Sequence, residues 1–236
     1  MKFCELEQIV SEERLHRYLE ACGGDKVKAI TLYRRNTIAS LEMFAVVGAF
    51  EVALRNAIDK VMTTNYGTDW LRDAILPGGI FDIPQCRDHA RIIRAAYDKL
   101  IRQGRYIHTH LLSKMEFGIW KYMFSSPQFR VSGRILLRIF PNKSSSTRDI
   151  QYNNTFVFNE LDHLNSLRNR IAHHEPICFP TGLATITTSY IELVYEKIIR
   201  LFKWLGIDAD KYLYGLDHIQ QVCKKINQLA LAQSKN

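Results

Sequence analysis

Arg168, Asn169 and His173 crowd into one short run, Leu167-Arg168-Asn169-Arg170-Ile171-Ala172-His173-His174-Glu175-Pro176. A guanidinium grips phosphate oxygens with paired N–H donors, and an imidazole, with an ordinary pKa of about 6.5, moves protons near neutral pH. Side by side they describe phosphate chemistry. Spacing alone does not put them on one helix face. At about 100° per residue, Asn169 and His173 lie about 40° apart around a helix, but Arg168 and His173 about 140° apart. Either the helix ends near His173, as Pro176 favours because the residue before a proline leaves the helical region, or two copies of the motif meet across a dimer. Both arrangements set His173 at a helix exit, at the negative end of the macrodipole. The ordinary alternative is a surface helix ending in His173-His174 with Arg168 and Arg170 solvated, and on spacing alone that is the heavier reading.

The elements that must position this run read as helices. Leu15, Tyr18 and Leu19 mark a short one closed by Gly23-Gly24. Asp25 can cap the next, whose apolar pattern runs through Ile38, Leu41, Ala45, Val46, Ala49, Val52 and Ala53 to Tyr66-Gly67. That makes a helical stretch of about 40 residues, with a break expected near Asn36. Further helices are expected at about 86–104, 109–124, 128–140, 155–174, 184–205 and 209–231. The β-branched cluster Thr185-Ile186-Thr187-Thr188 competes as a strand, but helical periodicity resumes directly after it, so it reads as a helix start. The Pro/Gly-bearing stretches at about 76–84 and 141–147 are short enough to be loops. The expectation is one all-α domain over residues 1–236, an antiparallel helical bundle, with the motif helix at about 155–174 and a basic helical region at 87–148.

Arg168-Asn169 with His173 four positions after the asparagine matches the R-N-x-x-x-H signature of the HEPN superfamily of helical RNases. The text from Leu164 to Ile177 resembles its Abi-like, abortive-infection branch. Tyr18-Leu19-Glu20-Ala21-Cys22-Gly23-Gly24-Asp25, Leu32-Tyr33-Arg34-Arg35-Asn36 and Phe50-Glu51-Val52-Ala53-Leu54-Arg55-Asn56-Ala57-Ile58 resemble the family's N-terminal region. Glu116-Phe117-Gly118-Ile119-Trp120 resembles the segment before its catalytic helix, so the likeness is spread over residues 11–206. It implies a HEPN-type bundle with additional N-terminal and C-terminal helices. It implies a metal-independent endoribonuclease in which Arg168, Asn169 and His173 are catalytic, with His174 as a lesser substitute. It also implies a homodimer with a shared cleft, no cofactor, and a toxin-like role in bacterial anti-phage defence, restrained by a protein or small-RNA antitoxin.

Charge points the same way. The chain carries a net +8, and from Arg87 to Arg148 there are 13 Lys/Arg against three acids, a net +10, leaving −2 for the rest. Arg87, Arg91, Arg94, Arg102 and Arg105 fall within about 80° on a helical wheel, opposite Ile92, Ile93, Ala96 and Leu100. Arg130, Arg134 and Arg138 form a second stripe at i, i+4, i+8. Such stripes suit a phosphate backbone; the ordinary alternative is a solvated face rich in a good helix former. Glu51 and Arg55, four apart, read either as an intrahelical ion pair or as accessory groups orienting Arg168 or Asn169.

Other chemistries are less well marked. Glu160-x-x-His163 and Glu13-x-x-His16 have a metal-ligand spacing, but Glu13 and His16 lie in a polar run that reads as a solvated face. Cys178 with His173 could form a nucleophilic pair, with no third group to orient it. No Gly-rich phosphate loop is present. The five cysteines are widely spaced with no C-x-x-C pair, which points to a reducing cytoplasm. The N-terminus lacks a signal-peptide pattern, and the best apolar run, from Met43 to Phe50, falls far short of the roughly 20 residues of a membrane span. RNA is the expected partner, and no membrane.

Overall fold

Short polar residues start several helices of this chain, and glycines stop several. In the computed structural model, which describes residues 1–231, α1 is Phe3–Val10 and α2 is Glu12–Ala21, the latter started by Ser11, whose Oγ accepts the Arg14 N–H at 3.4 Å. Gly23 (φ 60°) and Gly24 (φ 84°) close α2, with the Gly24 N–H bonded to the Leu19 carbonyl at 2.9 Å. Asp25 then opens α3, Lys26–Tyr66, its Oδ1 accepting the N–H groups of Val27 and Lys28 at 3.0 Å each. The Lys28 N–H is also the chief reason the Asp25 carboxyl sits below its ordinary pKa. The remaining elements are α4 (Trp70–Asp73), α5 (Arg87–Arg102), α6 (His108–Ser113), α7 (Phe117–Tyr122), α8 (Ser126–Val131), α9 (Asn154–Ala172), α10 (Ser189–Trp204), α11 (Ala209–Tyr212) and α12 (Ile219–Leu231). Short 3-10 turns cover Pro84–Cys86 and Leu136–Ile139. There is no strand among the described residues, so the fold is all-α.

Several boundaries differ from those expected. Helix α3 is unbroken at Asn36, because that side chain is buried and has partners elsewhere. The expected helix at about 109–124 is two, parted where Glu116 is extended (φ −84°, ψ 165°). The one expected at about 128–140 stops at Val131, since Gly133 (φ 69°) and Arg134 (φ 57°) turn left-handed and the Arg134 N–H closes onto the Phe129 carbonyl at 3.0 Å. Thr185 to Thr188 does not begin a helix: the Thr187 N–H bonds to the Cys178 carbonyl at 3.0 Å, and α10 starts at Ser189. Gly215 (φ 75°) lies in the break between α11 and α12, and Asp217 Oδ1 then receives the Ile219 N–H at 3.1 Å.

The chain divides into two compact units, passing between them within α3, α9, α10 and α11. The first comprises Met1–Gly48, Ser166–Ile199 and the described part of Asp210–Asn236. At its centre the Tyr18 ring meets Tyr33 and Phe179 edge-on, at 5.4 and 5.1 Å, among buried Leu15, Leu32 and Leu167. The second comprises Ala49–Asn165 and Arg200–Ala209. There Phe50 meets Phe202 edge-on at 5.2 Å, and Asp59 Oδ1 takes the Trp70 Nε1–H at 2.8 Å while lying 2.8 Å from His108 Nε2. Each such ring buried from water contributes about 1.5–3 kcal/mol.

Helix α3 also corrects the apolar-run estimate. An 18-residue window within it has mean hydropathy 1.7, so by length and composition it could cross a membrane. Its buried residues, among them Met43, Val46, Phe50, Leu54 and Ile58, recur at helical spacing as in a core helix, whereas Ile38, Leu41 and Phe44 are about half exposed or more.

In α5 the buried face is His89, Ile93 and Leu100; Ile92, expected there, is 49% exposed. Burial pushes the His89 pKa down to about 4, so the imidazole is neutral in the folded protein. The unfolded chain takes up that proton below about pH 6.5, so stability falls as pH drops from about 6.5 towards 4, by up to about 3 kcal/mol. Urea denaturation at pH 7 and pH 4.5 should show His89→Gln losing less stability across that interval than the wild type; an equal loss in both contradicts this account.

Candidate active site at the end of helix α9

Helix α9 ends as Pro176 requires, and its end is built from a complete set of capping bonds. The His173 N–H bonds to the Asn169 carbonyl at 2.9 Å, that of His174 to Ile171 at 2.9 Å, and that of Glu175 to Arg170 at 2.8 Å. This is a Schellman motif with His174 in the left-handed position (φ 56°), which glycine normally occupies. His173 is therefore the residue at which the helix exits, and it is exposed.

Two side chains hold the chain just beyond. Asn36, buried in the first third of α3, accepts the Ile177 N–H at 2.9 Å and the Cys178 N–H at 3.0 Å through its Oδ1. Arg170 reaches forward along the same segment, donating from Nη2 to the carbonyls of Pro176 and Phe179, the latter at 3.1 Å. Its guanidinium lies over the Tyr190 ring at 5.5 Å and within 3.5 Å of a Glu175 carboxylate oxygen. Arg170, solvated on the ordinary alternative, is thus a structural clamp with a side chain only 17% exposed.

His173 opens on a cleft of about 360 Å³ that it shares with Glu13, Arg14, Arg17, His174 and Glu175. Arg14 is anchored there by a 2.8 Å bond from Nη1 to the His174 carbonyl, which satisfies an oxygen just past the helix end. Arg17 donates to the carbonyls of Leu183 and Pro180 and lies 4.9 Å from the Phe179 ring centroid. The cleft therefore offers two imidazoles, two guanidinium groups and two carboxylates, the ingredients of anion binding and proton transfer. Arg14 and Arg17 escape detection in the sequence because they are far from the motif along the chain and sit in a run that looks like solvated surface.

The other expected residues fall in several places. Arg168 is half-buried, with Nη1 3.4 Å from Asn169 Oδ1, and neither residue lines the His173 cleft. Glu51 and Arg55 lie on the part of α3 that belongs to the second unit, where Arg55 Nε donates to Asn56 Oδ1 at 3.2 Å. Arg87, Arg91, Arg94 and Arg102 do share α5, but Arg105 lies beyond the helix, past Gly104 (φ 62°). Arg91 is 3.5 Å from Asp88, and Arg94 donates to the Ile75 carbonyl. The stripe expected for Arg130, Arg134 and Arg138 does not form: Arg130 lies in the last turn of α8, Arg134 is left-handed, and Arg138 lies in a 3-10 turn.

Two rival chemistries meet obstacles. Cys178 is fully buried and its thiol is pushed up to about 12 by desolvation, the wrong state for a nucleophile. Glu160 is engaged with Arg200, and no group of three or more metal-ligating side chains occurs among the described residues. No family model matches the chain, and no curated protein or solved structure matches it either.

Replacing His174 by glycine relieves the left-handed strain and should raise stability by about 0.5–1 kcal/mol, whereas His174→Val should lower it; the two denaturation midpoints must straddle that of the wild type. Asn36→Leu strands two buried N–H groups and should cost about 2–4 kcal/mol in urea unfolding. A loss below 1 kcal/mol would mean that the segment finds other partners.

Proposed function

We propose that the protein is a metal-independent endoribonuclease of the Abi-like branch of the HEPN superfamily, folded as a HEPN-type helical bundle. The observation that carries this reading is His173, exposed at the capped end of α9 in a cleft that also holds Arg14 and Arg17. RNA brings its own nucleophile. The 2′-hydroxyl attacks the adjacent phosphorus, the bond to the 5′-oxygen of the next nucleotide breaks, and the products are a 2′,3′-cyclic phosphate and a 5′-hydroxyl end. His173 serves as the general base that takes the 2′-hydroxyl proton or the acid that protonates the departing oxygen. Arg168 stabilises charge growing on the phosphate oxygens. Asn169 fixes geometry.

One imidazole cannot be both base and acid in one concerted step, and Arg168 does not line the His173 cleft of its own chain. A homodimer answers both points, each chain completing the other's site. The resemblance further supports a cytoplasmic, toxin-like effector of bacterial anti-phage defence held in check by a protein or small-RNA antitoxin. A second reading, a non-catalytic RNA-binding protein, is favoured by one observation: Arg87, Arg91 and Arg94 line a cleft of about 670 Å³ in the second unit.

Ribonuclease assays in excess chelator should show wild-type cleavage. His173→Ala should fall by about 10²–10⁴-fold and Arg168→Ala by about 10²–10³-fold. Cleavage abolished by chelator, or undiminished in both variants, would sink this mechanism. Retained RNA binding with no cleavage by the wild type would favour the binding protein.

A further inference from the structure

Two clefts flank the start of α5, and both lie within the second unit. One, of about 670 Å³, is lined by Arg87, Arg91 and Arg94 together with Phe81 and Pro84, and its carboxylates are Asp82 and Asp98. The other, of about 680 Å³, shares Pro84 and is lined by His89, Ile92, Tyr122, Ser125 and Gln128, with Lys114 against Asp88 and Glu116. Counting those side chains, the first cleft has three cations and two anions, the second one cation and two anions. The first therefore has a net positive lining and the second a net negative one, with Arg91 of the first 3.5 Å from Asp88 of the second.

The polar groups buried deepest in the second cleft carry no charge. His89 is 5% exposed and is one of the residues lining this cleft, its ring meets Phe81 of the first cleft edge-on at 4.8 Å, and its buried Nε2 has no hydrogen-bond partner among the described residues. A buried polar atom left unpaired is costly, and proteins seldom tolerate one without a use for it. The imidazole is neutral, pushed to a pKa of about 4 by burial, so one ring nitrogen donates and the other accepts. Gln128, also 5% exposed, accepts the Ser125 hydroxyl through Oε1, which leaves its amide hydrogens for another acceptor. Ile92 and Tyr122, each about half exposed, supply apolar surface beside these groups. Uncharged donors and acceptors between apolar walls suit a heteroaromatic ring whose edge carries both kinds of group; guanidinium groups next door suit the phosphate attached to it.

We propose that the two clefts form one nucleotide site, with a nucleobase held against His89 and Gln128 and its phosphate held by Arg87 and Arg91. It would read one base of a bound RNA strand. This rests on the reading that α5 contacts RNA, and it does not depend on cleavage.

Calorimetric titration of the full chain with the four ribonucleoside 5′-monophosphates and with ribose 5-phosphate tests it. At least one nucleotide should bind ten-fold or more tightly than ribose 5-phosphate. Gln128→Leu and Ile92→Trp should each remove that margin, while Arg87→Ala weakens all five probes by a similar factor. Because Ile92 is half exposed, its variant keeps the fold, which circular dichroism confirms before titration. Equal binding of all five probes, no binding of any, or a margin that survives Ile92→Trp overturns the proposal. Activity is not read, so an inactive protein with the expected margin retires the nuclease and keeps the site.

Discussion

The capture of the chain just past α9 is the constraint on which the candidate site depends. A helix that ends leaves carbonyls without partners, and a segment that turns away from it carries further unpaired N–H groups into the interior. Here both debts are settled by side chains. Asn36 takes two consecutive N–H groups with a single oxygen, Arg170 takes two carbonyls with a single nitrogen, and Arg14 takes the carbonyl of His174. His173 is left at the surface with its backbone fixed on both sides. Its position is therefore set by hydrogen bonds that themselves touch no substrate, and the arginine next to the signature residues has a purely architectural task.

That division of labour explains which parts of the site were legible in the sequence. The exit of α9 was, because Pro176 acts locally and the dihedral preference before a proline needs no tertiary partner. The starts of α2 and α3, the glycine stop after α2 and the extent of α5 follow from equally local rules. Arg14 and Asn36 were not legible, since their partners lie 160 and 141 residues away and nothing in their own neighbourhood records the pairing. Asn36 was even misread as a helix breaker. A polar residue within an apolar helical pattern looks like a fault until the backbone it serves is known.

The arginines show the opposite limit of periodicity. Arg130, Arg134 and Arg138 have ideal helical spacing, yet one left-handed pair, Gly133 and Arg134, takes the chain out of the helix between the first and second. Gly133 was the available signal, and it has the position of a helix stop rather than of a tolerated glycine. In α5 no such residue interrupts before Gly104, so Arg87 to Arg102 stay on one helix, and the arginine beyond it does not. Thr185 to Thr188 departs from the expected helix because its pairing is tertiary and local to the turn: the Thr187 N–H bonds to the Cys178 carbonyl, and the Thr187 Oγ1 accepts the Ser189 N–H, where α10 begins.

The interleaving of the two units along the chain has a consequence for biosynthesis. The first unit draws on three separated segments, and its cleft joins Arg14 to His173. During translation, Arg14 emerges early but waits through the whole of the first stretch of the second unit before the imidazole that shares its cleft leaves the ribosome. Contacts so distant in sequence form late. A nascent chain therefore carries no assembled cleft until His173 has followed Arg14 out of the ribosome, with the long first stretch of the second unit already made.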